Sequence, residues 1–248
     1  MDLGGKTVLI TGAARRIGRE IALALASHGA GIVLHYRESA AEARSLREEI
    51  RNLGSEAFLA RADFSSKAGL LPRIRSFLKK IYREIPRIDI LVNNASVFYP
   101  TPVERIREKD WDDFMDVNLK APFFLAREIG LRMVKRKSGK IVNLIDWTAA
   151  SPRRNYLPYC ISKAGLIAAT QGLAKAFAPH VQVNGIAPGP ILPARGMTRA
   201  GKEAVISKTL LKRFGSPKDI AAAVLFLVSG TDYVTGAVIP VDGGSLIA

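Results

Sequence analysis

Tyr159 and Lys163 are the two side chains of this 248-residue chain whose types and spacing most directly indicate chemistry. Residues four apart on a helix lie on one face, so the phenol and the ammonium can share a pocket. A nearby ammonium favours the phenolate and lowers the pKa of a tyrosine from its ordinary value of about 10. The spacing therefore predicts a tyrosine that exchanges a proton near neutral pH.

A glycine-containing turn, TGAARRIG, spans residues 11–18 and follows a short apolar segment. Backbone N–H groups at the start of the next helix favour a bound pyrophosphate, because the helix dipole and the unpaired donors attract an anion. Two arginines add cationic donors beside those oxygens. The predicted phosphate-binding residues are Gly12, Arg15, Arg16, Ile17 and Gly18.

The end of the second predicted strand carries the cofactor's second recognition point. A site for NAD usually has an acidic residue here, which holds the ribose 2′-hydroxyl. Arg37 and the Ser39 hydroxyl instead suit a 2′-phosphate, although Glu38 opposes this interpretation unless its carboxylate points to solvent. The charge pattern therefore favours NADPH over NADH. The residues predicted to surround the 2′-phosphate and the adenine are His35, Tyr36, Arg37, Ser39 and Asp63.

Short β-rich runs alternate with longer amphipathic stretches along the chain, and these elements must position the residues above. The predicted strands are Thr7–Ile10, Gly31–His35, Ala57–Ala60, Ile88–Val92, Lys140–Leu144, Gln182–Ile186 and Ala237–Val241. The predicted helices are Ile17–Ser27, Ala40–Asn52, Leu70–Arg83, Trp111–Lys135, Tyr159–Ala178 and Lys218–Val228. Near-continuous apolar strands suit a parallel sheet that is covered on both faces. We predict one α/β domain over residues 1–248, a doubly wound seven-stranded parallel sheet flanked by helices.

Residues 188–214 interrupt this alternation. The segment is rich in proline, glycine and basic residues and follows the end of a predicted strand. Ligands of open α/β sheets bind beyond the carboxyl ends of the strands, which favours a substrate lid. An ordinary surface loop has the same composition, so both interpretations remain open.

Composition and charge limit the classes of protein. Hydrophobic residues make up 48% of the chain, yet no apolar run is long enough to span a bilayer. Cys160 is the only cysteine, which excludes an internal disulfide and, with no signal peptide, predicts a cytoplasmic protein. The net charge of +15 suits an anionic ligand, an acidic protein partner or nucleic acid. No zinc-finger spacing, helix-turn-helix signal or basic-aromatic stripe supports nucleic acid. We predict no metal site.

Several motifs occur together in a fixed order: the opening at residues 11–18, Asn-Asn-Ala at 93–95, Asn118, the Tyr159/Lys163 pair and Pro-Gly at 188–189. With these motifs the chain resembles the short-chain dehydrogenase/reductase family from residue 5 to residue 244. The resemblance implies a Rossmann fold, a nicotinamide cofactor and a homotetramer.

The same resemblance implies roles for individual residues. Tyr159 would be the proton donor, Lys163 would hold the nicotinamide ribose, and Asn118 would support a proton-relay water. The residues implied on the remaining cofactor surface are Asn93 and Ala95 beside the adenosine and ribose, and Pro188 beside the nicotinamide.

Two positions depart from the general family pattern. The middle glycine of TGxxxGxG is Arg16, and Asp146 stands where a catalytic serine is usual. These departures, with LHY at residues 34–36 and NNASVFY at residues 93–99, are similar to pteridine reductases and the related dihydromonapterin reductases. That resemblance implies a reductase of pterins.

It also implies the contacts to the substrate. Phe98 would stack on the pterin ring against the nicotinamide, and Ser96 would hydrogen-bond to the pterin or to a phosphate. Arg16 would reach both pyrophosphate and pterin. Asp146 and Tyr159 complete the predicted substrate site.

Asp146 favours a C=N substrate on chemical grounds as well. A serine hydroxyl donates to an oxygen that gains negative charge as hydride arrives, whereas an ionised carboxylate accepts hydrogen bonds and would oppose that charge. An imine carbon is reduced while its nitrogen is protonated, so a carboxylate can steady an iminium or relay a proton. A protonated Asp146 would still be able to donate.

Three hypotheses about function follow. The first is an NADPH-dependent reductase that converts dihydropterins or dihydrofolate-type substrates to their tetrahydro forms. The second is a 3-oxoacyl-[acyl-carrier-protein] reductase or general carbonyl reductase, for which the basic surface would attract an acidic carrier protein. The third is a cofactor-binding regulator without catalysis, against which Tyr159, Lys163 and Asn118 together argue.

Overall fold

Seven parallel strands form one sheet in this computed structural model, which describes residues 1–65, 69–193 and 196–248. The strands are β1 (Thr7–Ile10), β2 (Gly31–Tyr36), β3 (Ala57–Arg61), β4 (Ile90–Asn93), β5 (Gly139–Leu144), β6 (Val181–Pro188) and β7 (Val238–Val241). Their order is β3-β2-β1-β4-β5-β6-β7 and every neighbouring pair is parallel. The predicted Rossmann-like sheet is confirmed. Its strand order reverses at β1, so a crevice opens where the carboxyl ends of β1 and β4 diverge.

Eight α-helices cover the sheet in the described ranges. They are α1 (Arg16–Ala26), α2 (Ala40–Asn52), α3 (Leu70–Glu84), α4 (Glu108–Met115), α5 (Ala121–Lys135), α6 (Leu157–Phe177), α7 (Arg199–Ile206) and α8 (Pro217–Leu225). A π-helical segment, Asp116–Lys120, joins α4 to α5, so the single helix predicted at Trp111–Lys135 begins earlier and is interrupted. None of the described helices is both long and apolar enough to cross a membrane.

Two apolar layers hold the helices against the sheet because successive strand residues point to opposite faces. Val8 and Ile10 of β1 pack in the layer that contains α1 and α8. Leu9, between them, packs in the opposite layer with Ile74 of α3 and Leu125 of α5. Burial of each such side chain contributes about 1.5–3 kcal/mol, so these layers fix the strand ends that carry the site.

The predicted loop at residues 188–214 is partly helical. It contains α7, whose first turn is capped by Thr198 Oγ1, which accepts a hydrogen bond of 3.1 Å from the N–H of Gly201. Residues 194 and 195 of the segment lie outside the described residues. Helix α7 was not predicted, and the interpretations of the segment as a lid or as a surface loop both stay predictions.

Candidate active site

A cavity of about 920 Å³ lies at the carboxyl ends of the strands and collects most of the predicted residues. Side chains from the segments after β1 to β6 line it. The predicted site residues on its wall are Gly12, Arg15, Arg16, Ile17, Gly18, His35, Tyr36, Arg37, Ser39, Asp63, Ala95, Ser96, Phe98, Asp146, Tyr159, Lys163 and Pro188. Asn93 and Asn118 are buried outside this wall.

The turn after β1 has a backbone shape that glycine permits. Gly12 has φ +64°, and a Cβ there would lie 3.0 Å from the Cα of Ala95. A Cβ on Gly18 would collide with the carbonyl oxygen of Gly12. These two positions keep a bare backbone cradle open at the N-terminus of α1, which fits the phosphates of a dinucleotide.

Arg16 adopts the left-handed conformation with φ +54°, although it carries a side chain. This is the position at which glycine is usual in TGxxxGxG, and the backbone shape gives the reason. A left-handed residue with a Cβ costs about 1–2 kcal/mol. Arg16 thus places a guanidinium on the cavity wall at a conformational cost.

Asn94 fastens this turn to the end of β4. Its Nδ2 donates to the carbonyl oxygens of Thr11 at 2.8 Å and of Gly12 at 3.0 Å. In return, Thr11 Oγ1 accepts from the N–H groups of Asn94 and Ala95 at 2.9 and 3.0 Å. Sequence reasoning missed Asn94 and Thr11, although both lie inside motifs it had identified.

Asn93 was predicted on the adenosine and ribose side, and the structure corrects this. Its side chain is 2% exposed and points into the protein, where Nδ2 donates to Asn143 Oδ1 at 2.9 Å and to the carbonyl of Pro122 at 3.2 Å. Asn93 is the last residue of β4, so its side chain and that of Asn94 leave on different sides. Asn93 joins β4 to β5, and Asn94 faces the cavity.

The end of β2 offers donors to a second anionic group. Arg37 is half-exposed, and its Nε lies 3.1 Å from Glu38 Oε1, so Glu38 is paired with a cation rather than free. Ser39 precedes α2 and its hydroxyl makes no capping bond. Both side chains line the cavity, which suits the 2′-phosphate predicted there.

His35 is held by backbone groups. Its Nδ1 accepts a 3.1 Å hydrogen bond from the N–H of Gly12, so its Nε2 carries the proton and donates to the Ala62 carbonyl at 3.2 Å. Burial lowers the pKa of His35 to about 4, and its ring stacks on Phe64 with 4.6 Å between centroids. The neutral His35 ring thus joins β2 to the phosphate turn through main-chain groups on both sides, and its predicted place beside the 2′-phosphate stays a prediction.

Asp146 and Tyr159 meet directly at the end of β5. The Tyr159 hydroxyl donates to Asp146 Oδ2 at 2.8 Å. Asp146 Oδ1 accepts from both the N–H and the hydroxyl of Thr148, at 2.9 and 2.7 Å. Asp146 thus caps the short turn Trp147–Ala149, and this turn fixes its carboxylate against the phenol.

The pKa of Tyr159 moves in the direction opposite to the one predicted. Burial, and then the Asp146 carboxylate, raises the pKa of the phenol well above its ordinary value. Lys163 Nζ lies 5.8 Å from the Tyr159 ring centroid and donates to the carbonyl of Leu144 at 2.7 Å. Burial lowers the pKa of Lys163 to about 8. In this structure Tyr159 is therefore a protonated phenol and not a phenolate.

Asn118 has every side-chain hydrogen-bonding position occupied by protein. Its Oδ1 accepts from Ser96 Oγ and from the N–H of Val97, at 3.1 and 2.9 Å. Its Nδ2 donates to the Val97 carbonyl and to Ser162 Oγ, at 3.0 and 3.3 Å. The side chain of Asn118 therefore offers no free hydrogen-bonding position to a relay water. The π-helical segment turns this amide toward the end of β4, a common use of π-turns at functional sites.

Phe98 stands at the mouth of the cavity and is 52% exposed. Its ring stacks on Tyr156 at 4.7 Å and meets Tyr159 edge-on at 4.8 Å. One aromatic face is thus preset beside the phenol. Trp147 also lines the cavity, whereas Tyr99 lies behind it and donates to Asp110.

Comparisons with known proteins show the family to which this chain belongs. A family model described as enoyl-(acyl carrier protein) reductase, within the short-chain dehydrogenases, matches residues 12–245. The chain belongs to the short-chain dehydrogenase/reductase family. It is 34% identical over 243 residues to the 3-oxoacyl-[acyl-carrier-protein] reductase FabG of Staphylococcus epidermidis, covering 96% of this chain and 98% of that protein.

Other relatives carry sugar-acid names. The 2-dehydro-3-deoxy-D-gluconate 5-dehydrogenase of Formosa agariphila is 32% identical over 257 residues, covering 99% of this chain and 94% of that protein. A crystal structure provisionally described as a gluconate dehydrogenase from Agrobacterium tumefaciens matches with a TM-score of 0.93 and 33% identity, covering 100% of this chain and 98% of the other. This short-chain dehydrogenase/reductase is an oxidoreductase. None of these three names refers to pterins, so they do not support the predicted pteridine-reductase subgroup.

Proposed function

We propose that the protein is an NADPH-dependent reductase of a C=N bond in a pterin-like heterocycle. The hydrogen bond of 2.8 Å between the Tyr159 hydroxyl and the Asp146 carboxylate is the observation that carries the proposal. A carboxylate with three accepted hydrogen bonds opposes an oxyanion on a ketone substrate. A basic nitrogen that takes up a proton, or an iminium nitrogen, carries positive charge. The Asp146 carboxylate stabilises that charge, so such a substrate suits this site.

The cradle of Gly12 and Gly18 at the start of α1 would hold the pyrophosphate, and Arg37 with Ser39 would hold the 2′-phosphate. Lys163 would hold the nicotinamide ribose. When bound, a reduced nicotinamide supplies a hydride equivalent to the carbon of the C=N bond. These residues fit NADPH better than NADH because a cation and a free hydroxyl stand where NAD sites place an acid.

Tyr159 and Asp146 together supply the proton. Tyr159 Oη delivers its proton to the ring nitrogen, so one hydride and one proton convert C=N to CH–NH. Proton transfer accompanies hydride transfer, so the nitrogen does not become an anion beside Asp146, and even a phenol with a raised pKa is a stronger acid than the N–H bond that forms. The proton is replaced from solvent through Asp146 Oδ2, the acceptor already next to the phenol.

A planar substrate fits the mouth of the cavity. The exposed ring of Phe98 lies beside Tyr159 and offers a face for stacking. Ser96, whose hydroxyl lies on the same wall, would hydrogen-bond to the substrate, and Arg16 would reach it from the phosphate turn. The proposed assembly is a homotetramer.

A second candidate is reduction of a 3-oxoacyl thioester on an acyl carrier protein. The name of the Staphylococcus relative, 34% identical over nearly the whole chain, supports it more directly than any comparison supports the pterin proposal. Asp146, in place of a hydroxyl donor, speaks against it. The two candidates therefore differ in a single testable property, the bond that is reduced.

The deciding experiment measures NADPH oxidation in parallel with dihydromonapterin, dihydrobiopterin, dihydrofolate and an acetoacetyl thioester. We expect turnover of at least one pterin, its loss by about 100-fold or more in Tyr159→Phe, and weaker pterin binding in Phe98→Ala. Robust thioester turnover with none on any pterin would replace the first proposal by the second.

A further inference from the structure

Arg153 is a cation on the cavity wall that neither the cofactor site nor the proton transfer uses. Its guanidinium lies 5.9 Å from the ring centroids of both Trp147 and Tyr156. In the described parts of the chain, no carboxylate lies within ion-pair distance of Arg153. Two aromatic rings therefore hold the guanidinium at the substrate end and leave its N–H donors available.

The main chain of Arg153 is anchored next to the catalytic tyrosine. Its N–H donates to Cys160 Sγ at 3.5 Å, and its carbonyl accepts from the N–H of Tyr156 at 2.9 Å. Cys160 is buried and directly follows Tyr159 in α6. The position of Arg153 is therefore tied to the position of the phenol.

Lys208 supplies a second cation to the same cavity from a different segment. It follows α7, is exposed and lines the wall with Met197 and Val205. No described carboxylate lies within ion-pair distance of its ammonium. Arg153, which follows β5, and Lys208, which follows α7, thus add positive charge to the wall of one cavity from two different segments.

Arg154 shows that a surface arginine of this segment does not automatically lie on the cavity wall without an acidic partner. Its side chain is 85% exposed, lies 3.5 Å from Glu104 and is absent from the cavity wall. The two neighbouring arginines therefore have the same chemistry and different surroundings. Arg154 is a matched control for Arg153.

We propose that Arg153 binds an anionic group at the end of the substrate distant from the reduced bond, and that Lys208 adds positive charge to the same cavity. A guanidinium binds a carboxylate or phosphate through two parallel hydrogen bonds, so Arg153 would select substrates with an anionic tail over neutral ones. Arg153 is then a specificity-determining residue. The inference rests on the proposed function only in placing the reacting bond at Tyr159.

The test compares Arg153→Gln with Arg154→Gln on two substrates that share a dihydropterin head. Dihydrofolate carries two carboxylates on its tail, whereas the tail of dihydromonapterin is uncharged. We expect Arg153→Gln to lower kcat/KM for dihydrofolate about tenfold or more through KM, and to change dihydromonapterin less than about twofold. Arg154→Gln should leave both substrates unchanged. Equal losses on both substrates, or no loss on dihydrofolate, would overturn the inference.

Failure of the proposed function has a different signature. If no pterin is turned over, the same variants are compared on acetoacetyl-CoA, which carries phosphates, and on neutral acetoacetyl-N-acetylcysteamine. A selective loss on the CoA thioester keeps the role of Arg153, and an equal effect on both thioesters overturns it. Calorimetric binding of folate and of biopterin to the NADP⁺-bound protein gives the same comparison without turnover. If Arg153→Gln weakens the binding of folate alone, the result supports the proposed role of Arg153. Any other pattern opposes that role.

Discussion

Asp146 stands where a serine is usual in this family, and the proposed C=N chemistry depends on it. Asp146→Ser replaces an acceptor by a donor, so we expect pterin turnover to fall by about 100-fold and turnover of an acetoacetyl thioester to rise. Asp146→Asn is the matched control, because its Oδ1 still accepts from Thr148 and keeps the following turn. Parallel kcat/KM values measure both changes. A serine variant with undiminished pterin turnover would contradict the charge argument.

Lys163 gives the reaction a pH limit. Burial lowers its pKa to about 8, so its ammonium loses its proton above that pH, and we expect kcat/KM to fall there. Lys163→Arg keeps its charge at high pH and should lack this alkaline fall, whatever its maximal rate. An unchanged alkaline limb in the arginine variant would assign the limb to another group.

Because the folded pKa of Lys163 lies below the ordinary value, the lysine lowers the free energy of unfolding below pH 8, and this destabilisation disappears as the pH rises toward about 10.4.

Most of the site residues that motifs and residue types predict lie on the cavity wall, including Arg16, Asp146 and Tyr159. They did not predict side-chain direction at a strand end, which is why Asn93 was placed in the site instead of Asn94. Alternation along β4 separates the two only when the last strand residue is known. The pKa of Tyr159 could not be predicted either, since it depends on burial and on a carboxylate 13 positions away in the chain.

At the scale of elements, the turn from β1 into α1 combines backbone strain with ligand chemistry. Arg16→Gly relieves the left-handed conformation, so we expect the free energy of unfolding to rise by about 1 kcal/mol. The same change removes a guanidinium from the proposed phosphate site, so the Kd for NADPH should rise about tenfold. Urea denaturation and fluorescence titration measure the two effects.

Lys137 provides the control for this pair of opposed effects. It has φ +57°, is exposed and lies outside the cavity wall. Lys137→Gly should raise stability by a similar amount and leave NADPH binding unchanged. Weaker NADPH binding in both variants, or in neither, would contradict a specific role of Arg16 in binding the cofactor.

Two elements show what hydrophobic periodicity cannot predict. The helix expected at Trp111–Lys135 has the right apolar spacing, but the extra residue of a π-turn changes its phase without an obvious sequence signal. Helix α7 lies in a segment whose prolines and glycines predicted a loop. Thr198 before RAGKEAVI was the signal available, since threonine is a common N-cap.

At the scale of the whole molecule, the outer helices carry apolar side chains that water does not favour. Trp111 of α4, Leu131 of α5 and Ile161 of α6 are 42%, 47% and 46% exposed. We expect a homotetramer, with a light-scattering mass about four times the 26.9 kDa of the chain. Ile161→Asp should give smaller species, whereas Leu53→Asp, at an equally exposed position after α2, should not. A wild-type monomer at micromolar concentration would contradict the expectation.

The net charge of +15 has a functional consequence if its cations concentrate at the cavity. The cationic side chains on the wall are Arg15, Arg16, Arg37, Arg153, Lys163 and Lys208, and the acidic ones are Glu38, Asp63 and Asp146. Such an excess would attract the phosphates of the proposed cofactor, NADPH, over a distance that salt screens, since the Debye length falls from about 30 Å at 0.01 M to about 8 Å at 0.15 M. We expect kcat/KM for NADPH to fall steeply over that range while kcat stays constant, as stopped-flow and steady-state kinetics will measure. A parallel fall in kcat would indicate that salt acts on the chemical step or the fold. If kcat/KM for NADPH did not change with salt, the charge would serve another partner.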